Sequence, residues 1–215
     1  MTSKQIILRP YQESDRASLA AVIREAWEYD SFCSSQVAEK MAHLYLDACL
    51  ANQTFTQVAV VDGEPAGVIM GKNIARHRCP LRLRWQMVKS TCALLASEEG
   101  RRVAKIFSGI EALDQALLDS CQKEYEGELA FFAISQKHRG VGLGRRLFET
   151  VVADMRAEGV GNFYLFTDTS CNYRFYEHLG LERQTAHTEL VDLGSEKEKM
   201  TFFVYDYDLK AQASA

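Results

Sequence analysis

With 215 residues, 47% hydrophobic and 25% charged, the chain is long enough to bury a sizeable core as one domain and has the composition of a soluble globular protein. A formal net charge of −4 gives no general attraction for nucleic acid, and the opening Met1-Thr-Ser-Lys-Gln-Ile-Ile-Leu-Arg-Pro10 is too poor in apolar residues for a secretory signal or a membrane span. The six cysteines (Cys33, Cys49, Cys79, Cys92, Cys121, Cys171) form no Cys-x-x-Cys pair, so neither zinc nor a disulfide framework is expected, and a reduced, cytoplasmic protein is.

In chain order, Ile6 to Arg9 reads as a short strand closed by Pro10. Ser14-Asp15 can cap a helix carrying Leu19, Val22, Ile23 and Ala26 at helical spacing. Val37, Met41, Leu44 and Tyr45 supply the apolar face of a second helix, with Ser34 or Ser35 as its cap. Phe55 to Val61 and Ala66 to Met70 are strand-like runs joined by the turn former Asp62-Gly-Glu-Pro65, which makes a hairpin. Two helical periods follow. Leu81, Trp85, Val88, Cys92 and Leu95 mark the first, over 81–96; Ile106, Ile110, Leu113, Leu117 and Cys121 mark the second, over 103–121.

Residues 72–127 therefore read as a helical insertion between the third and fourth strands. Its first part holds Lys72, Arg76, Arg78, Arg82, Arg84 and Lys89 and no acidic residue; its second part holds Glu111, Asp114, Asp119, Glu124 and Glu126. These are either two solvated helix faces that complement each other or a patch for an anionic partner.

Leu129 to Ile134 is a continuous apolar run of strand length, suited to burial on both faces. It leads into Arg139-Gly140-Val141-Gly142-Leu143-Gly144-Arg145-Arg146 and then a helix marked by Leu147, Phe148, Val151, Val152 and Met155, with Gly159 as a stop. A glycine turn that opens a helix leaves N–H groups unpaired at the positive end of the helix dipole, a setting for phosphate. Arg145 and Arg146 in the first turn oppose that dipole by roughly 0.3–1 kcal/mol each unless an anion lies close. With Arg139 they would bracket a pyrophosphate. The spacing fits neither the dinucleotide fingerprint nor the P-loop.

Asn162 to Thr167 is a fifth strand, followed by Asp168-Thr-Ser-Cys171-Asn172 and a short helix over 173–178 that Gly180 ends. Gln184 to Leu193 and Met200 to Leu209 form a last hairpin around Gly194-Ser-Glu-Lys-Glu-Lys199, and 210–215 is a loose tail. No Pro/Gly/Ser-rich linker divides 1–215, so a single domain is expected.

Arg139-x-x-Gly142-x-Gly144 resembles the acetyl-CoA loop Gln/Arg-x-x-Gly-x-Gly/Ala of the GCN5-related N-acetyltransferases, the GNAT family. Glu128-Leu-Ala-Phe-Phe-Ala-Ile-Ser135 is similar to that family's fourth strand, especially in the histone-acetylating members. Asn172-Tyr-Arg-Phe-Tyr176-Glu-His-Leu-Gly180 resembles its second signature, with the short Asn-to-Tyr spacing of the glucosamine-phosphate acetylating branch. The resemblance spans nearly the whole chain except the insertion. It implies an α/β fold of the α+β type: a mixed, mostly antiparallel sheet of six to seven strands flanked by helices.

The resemblance further implies transfer of acetyl from acetyl-CoA to a primary amine of a small molecule, by direct attack in a ternary complex and without a metal. Acetylation of a protein Lys or N-terminus is the alternative, and a non-catalytic CoA-binding sensor is a reading of another class. The implied partner is the amine, with no nucleic acid or membrane; a homodimer is one assembly left open. By the same resemblance, the amides of Gly140, Val141, Gly142, Leu143, Gly144 and Arg145, with Arg139, would hold the pyrophosphate. Phe132, Ala133 and Ile134 would line the pantetheine arm, and a main-chain N–H of that strand would steady the thioester oxygen.

Tyr176, a phenol with a reference pKa of about 10, would protonate the departing thiolate. Glu128 would be the base that deprotonates the amine, with Glu124, Glu126 and Asp168 as alternatives. Asn172 either contacts pantetheine or caps the helix after it. Cys171 as an acetylated nucleophile is a weaker rival, since no His or Asn spacing supports it.

Overall fold

A computed structural model describes residues 5–192 and 197–211. Seven strands form one sheet: β1 (Ile6–Arg9), β2 (Phe55–Val61), β3 (Glu64–Asn73), β4 (Gly127–Ile134), β5 (Asn162–Asp168), β6 (Glu182–Asp192) and β7 (Lys197–Asp208), in the spatial order β1-β2-β3-β4-β5-β7-β6. Only β4 and β5 run parallel, because a helix carries the chain back between them. The helices are α1 (Arg16–Ala26), α2 (Ser35–Ala51), α3 (Leu81–Leu95), α4 (Glu98–Ser120), α5 (Leu143–Ala157) and α6 (Arg174–His178). The last-hairpin turn at 194–196 and the tail over 212–215 lie outside the described residues.

Strand alternation divides the core into two faces. Val58, Val60, Val68, Met70, Phe131 and Ala133 meet Leu19 and Ile23 of α1 and Val37, Met41 and Leu46 of α2. On the other face, Ala59, Ile69, Leu129, Phe163 and Leu165 meet Leu147, Val151 and Met155 of α5. The α2 cap differs from the simple expectation: Ser34 is the N-cap residue, but its hydroxyl donates to Glu99 at the start of α4. Asp15 precedes α1, yet its carboxylate accepts from Arg9 and from the Gln12 N–H.

β3 runs on to Asn73, beyond its apolar run, so the insertion begins after it. The α3 stripe expected to be buried faces solvent: Leu81 is 73% and Trp85 66% exposed, and Val88, Cys92 and Leu95 are exposed with them. The stripe Leu83, Met87, Ser90 and Leu94 turns inward instead. Polar anchoring explains the rotation. Asp47 of α2, fully buried, accepts from both terminal guanidinium nitrogens of Arg16 and from the Ser90 hydroxyl, which ties α1, α2 and α3 together. Nor do the two charged parts of the insertion pair with each other. Lys72 pairs with Glu128, Arg76 with Glu158 of α5 and Arg82 with Glu13.

Candidate active site

β4 and β5 pair at two positions, Gly127 with Phe163 and Glu128 with Tyr164, and then part. The cause is local. Met70 lies opposite Phe131 and Gly71 opposite Leu129, so Ala130 is an extra residue in β4, and such a bulge bends its strand and raises its twist. Ser135 N–H donates to the Ala66 carbonyl at 2.8 Å, which assigns the odd residues' main-chain groups to β3. By alternation those of Phe132 and Ile134 face the gap. Ala133 differs from its two neighbours, with its main chain turned to β3 and its side chain in the α1–α2 core.

At the open end of the gap, Gly140 and Gly142 both hold φ of +78°, a conformation that side chains resist. A Cβ on either would stand in open space, so the demand there is conformational. Gly144 answers a different demand: its Cβ would lie 3.1 Å from the Phe175 ring. Among the described residues, none of the N–H groups of 140–145 donates to a protein acceptor; Arg146 N–H is the first to bond, to Gly142 O at 3.2 Å. Arg139, Arg145 and Arg146 are exposed beside them. Unpaired amides flanked by three guanidinium groups fit a diphosphate.

Tyr176 lies on α6, after β5, with its ring against the α5-side core and 6.3 Å from that of Tyr205. Burial, with the Cys171 thiol adding to it, pushes its pKa well above the ordinary phenol value. Tyr205 donates to Glu177 at 2.7 Å, and Arg183 bonds both, fixing α6 against β6 and β7. Asn172 is exposed and does not cap α6, whose N-cap residue is Tyr173, without a capping side-chain bond. Cys171 is pushed up by burial, which keeps it a thiol and a poor nucleophile.

Glu128 sits at the closed end of the gap, buried, with Lys72 Nζ at 3.2 Å and Asn52 Nδ2 at 3.3 Å. Lys72 also donates to Asn52 Oδ1 at 2.7 Å. Glu126 accepts from Gly161 N–H, Glu124 is exposed, and Asp168 caps the turn after β5 by accepting from Ser170 N–H at 2.7 Å. Asp114 is the carboxylate that sequence reasoning left among the insertion's charges. It interrupts the α4 stripe Val103, Phe107, Ile110 and Leu117, and its Oδ1 is enclosed without a partner. Burial first, then Asp168 and Glu111, push it up to about 7. The signal in the sequence was an acid at helical spacing between Ile110 and Leu117; what it faces depends on the fold.

Two surface cavities, of about 480 and 410 Å³, lie elsewhere, one lined by α1, α2 and α3 residues including Arg16 and His43, the other by Arg76, Arg78 and Asp154. Among the described residues, no group of three or more His, Cys, Asp or Glu is placed to hold a metal ion, and no helix is long and apolar enough to cross a membrane.

A mixed sheet whose parallel strands part beside a glycine-opened helix is the frame of a CoA-dependent acyltransferase. The Acetyltransferase (GNAT) family pattern matches residues 19–181, and the chain belongs to this family: it is an acetyl-CoA-dependent acyltransferase. Comparison with curated proteins finds no match. Solved structures share the fold. The ribosomal-protein-S18-alanine N-acetyltransferase of Escherichia coli is 14% identical, with TM-score 0.54 and 95% of each chain covered. An N-acetyltransferase of Staphylococcus aureus Mu50 is 10% identical, with TM-score 0.54, covering 95% of this chain and 99% of its own. A Salmonella typhimurium protein assigned as an acetyltransferase, solved with its cofactor acetyl-CoA, is 15% identical, with TM-score 0.54, covering 95% of this chain and 94% of its own.

Proposed function

We propose that this enzyme moves acetyl from acetyl-CoA to a primary amine of a small molecule, by direct attack in a ternary complex. The observation that carries the reading is the row of unpaired amides at 140–145, beside a strand edge where the Phe132 main-chain groups and the Ile134 N–H face the gap without a β5 partner, while the Ile134 carbonyl accepts from Arg139 Nε at 3.3 Å. In it, Gly140 to Arg145 and Arg139 hold the diphosphate, Phe132 and Ile134 border the arm while Ala133, turned to β3, does not, and exposed Asn172 contacts the arm. Tyr176 gives its phenol proton to the departing sulfur; its raised pKa keeps that proton in place at neutral pH. Glu128 is the base that the family resemblance implies on β4, but Lys72 and Asn52 already hold its oxygens.

A small acceptor is favoured over a protein Lys or N-terminus because α4 spans the sheet on the face away from α5. Its Val103 and Phe107 pack on the α1–α2 core and its Leu117 on Tyr164 and Val204. The proposal takes 1–215 as one domain acting in the cytoplasm, in keeping with six unpaired cysteines, and a homodimer would use the uncovered α3 stripe.

Titration with acetyl-CoA, followed by thiol release over polyamines, aminoglycosides, amino acids and peptides, tests it. Release with small amines is expected. Release with peptides alone would move the acceptor to protein, and binding without release would make the chain a sensor. Tyr176→Phe should lower kcat about 10²-fold or more at unchanged acetyl-CoA affinity; unchanged turnover would remove Tyr176 as proton donor.

A further inference from the structure

We propose that Asp114, on the insertion helix α4, receives the ammonium proton of the acceptor, across the β4–β5 gap from Tyr176; the inference rests on the acetyltransferase reading above. Three placements carry it. The first is the path of α4. Val103, Ala104 and Phe107 join the cluster of α1, α2, Phe131 and Ala133, with the Phe107 ring against Tyr29 and Phe32, while Leu113, Leu117 and Leu118 pack in the cluster of Tyr164, Phe166, Val191 and Val204 on β5, β6 and β7. The helix thus runs from the α1–α2 cluster to β6 and β7, and Asp114 lies on the inward side of that run, within electrostatic reach of Asp168 at the end of β5.

The second is the alternation of β5. Phe163 and Leu165 face α5, Tyr164 and Phe166 face α4, and Asp168, next in that series, comes up on the α4 side. The groups that face Asp114 electrostatically are therefore Asp168 from β5, Glu111 from its own helix and the Tyr45 phenol from α2, and Tyr45 in turn feels Cys171 at longer range. Tyr176, packed with the α5-side cluster, feels the same Cys171 electrostatically. A proton acceptor and a proton donor thus approach one gap from opposite faces, with the aromatic rings of Tyr45, Trp27 and Phe131 walling the acceptor side.

The third is bonding. Glu128 has Lys72 and Asn52, and Asp168 has Ser170, whereas the enclosed Oδ1 of Asp114 has no protein partner. A buried acceptor without a donor is rare, and an ammonium supplies the missing one. The push of the Asp114 carboxyl up to about 7 suits a base working near neutral pH.

The step balances. One N–H proton of the ammonium passes to Asp114, and the freed lone pair forms the C–N bond to the thioester carbonyl carbon. The C–S bond breaks with its pair going to sulfur, which takes the Tyr176 phenol proton. The second proton leaving nitrogen restores Tyr176 through solvent, and Asp114 releases its own to water. The sum is amide, CoA thiol and one proton.

The test is the pH profile of kcat/KM for thiol release with acetyl-CoA and spermidine, tyramine, 4-aminobutyrate and a lysine peptide. The wild type is expected to show an acid limb near pH 7 that does not follow the basicity of the amine. Asp114→Asn should lower kcat about 10²- to 10³-fold and abolish that limb, with acetyl-CoA affinity unchanged. Asp114→Glu should keep it, and Asp168→Asn, removing a like charge, should move it to lower pH. A limb unchanged in Asp114→Asn, or one lost only in Glu128→Gln, overturns the inference and leaves the acetyltransferase reading standing. Acetyl-CoA binding with no release from any amine overturns that reading and the inference with it.

Discussion

Neutralising Asp114 should make the folded protein more stable above neutral pH. Its carboxyl is raised from 3.8 to about 7, mainly by burial. Between those values the folded state holds a proton that the unfolded state has lost, so stability falls as pH rises through this window, and the loss is complete above it. Asp114→Asn should therefore gain roughly 1–3 kcal/mol over the wild type at pH 8 in urea unfolding, with the difference fading towards pH 4. A variant less stable at pH 8 would mean that the carboxylate is engaged in a contact. Gly142 gives a second residue-scale prediction, because its φ of +78° strains any side chain while the space around it is open. Gly142→Ala should cost about 1–2 kcal/mol of loop strain and weaken acetyl-CoA binding about tenfold in calorimetric titration, and Gly142→Asn should do less harm.

For the elements, the sequence located helices more surely than it oriented them. The loop and α5 were legible because glycine spacing, an apolar strand and helical periodicity all agree within one short stretch, and Gly159 ends the helix with φ of +76° as a left-handed stop should. The α3 helix was legible in extent and not in rotation, since its Leu81–Trp85–Val88 stripe is the more apolar one. The inward face was chosen by Ser90 reaching Asp47, a partner far off in sequence. Asp47→Ala would leave Arg16 and Ser90 without their acceptor. It should cost about 2–4 kcal/mol in urea unfolding, below the full cost of breaking an enclosed pair because Arg16 is partly exposed. A cost under about 0.5 kcal/mol would show that packing alone orients α3.

At the scale of the whole molecule, α4 links the α1–α2 cluster on one half-sheet to β6 and β7 on the other, and the two half-sheets pair at two β4–β5 positions. The outward α3 stripe beside it predicts a solution property: Trp85→Glu should change unfolding free energy by under about 0.5 kcal/mol while reducing any dimer seen by light scattering. A large loss of stability would mean that the ring is covered within the chain. By itself the sequence determined the order of strands and helices, the glycine turn that opens α5 and the position of Tyr176 on α6, because each depends on residues adjacent in the chain. Only the tertiary structure decided which carboxylates are already paired, which face of α3 is buried and what Asp114 meets. Those outcomes depend on contacts between distant segments, and neither periodicity nor local spacing encodes a partner brought in by folding.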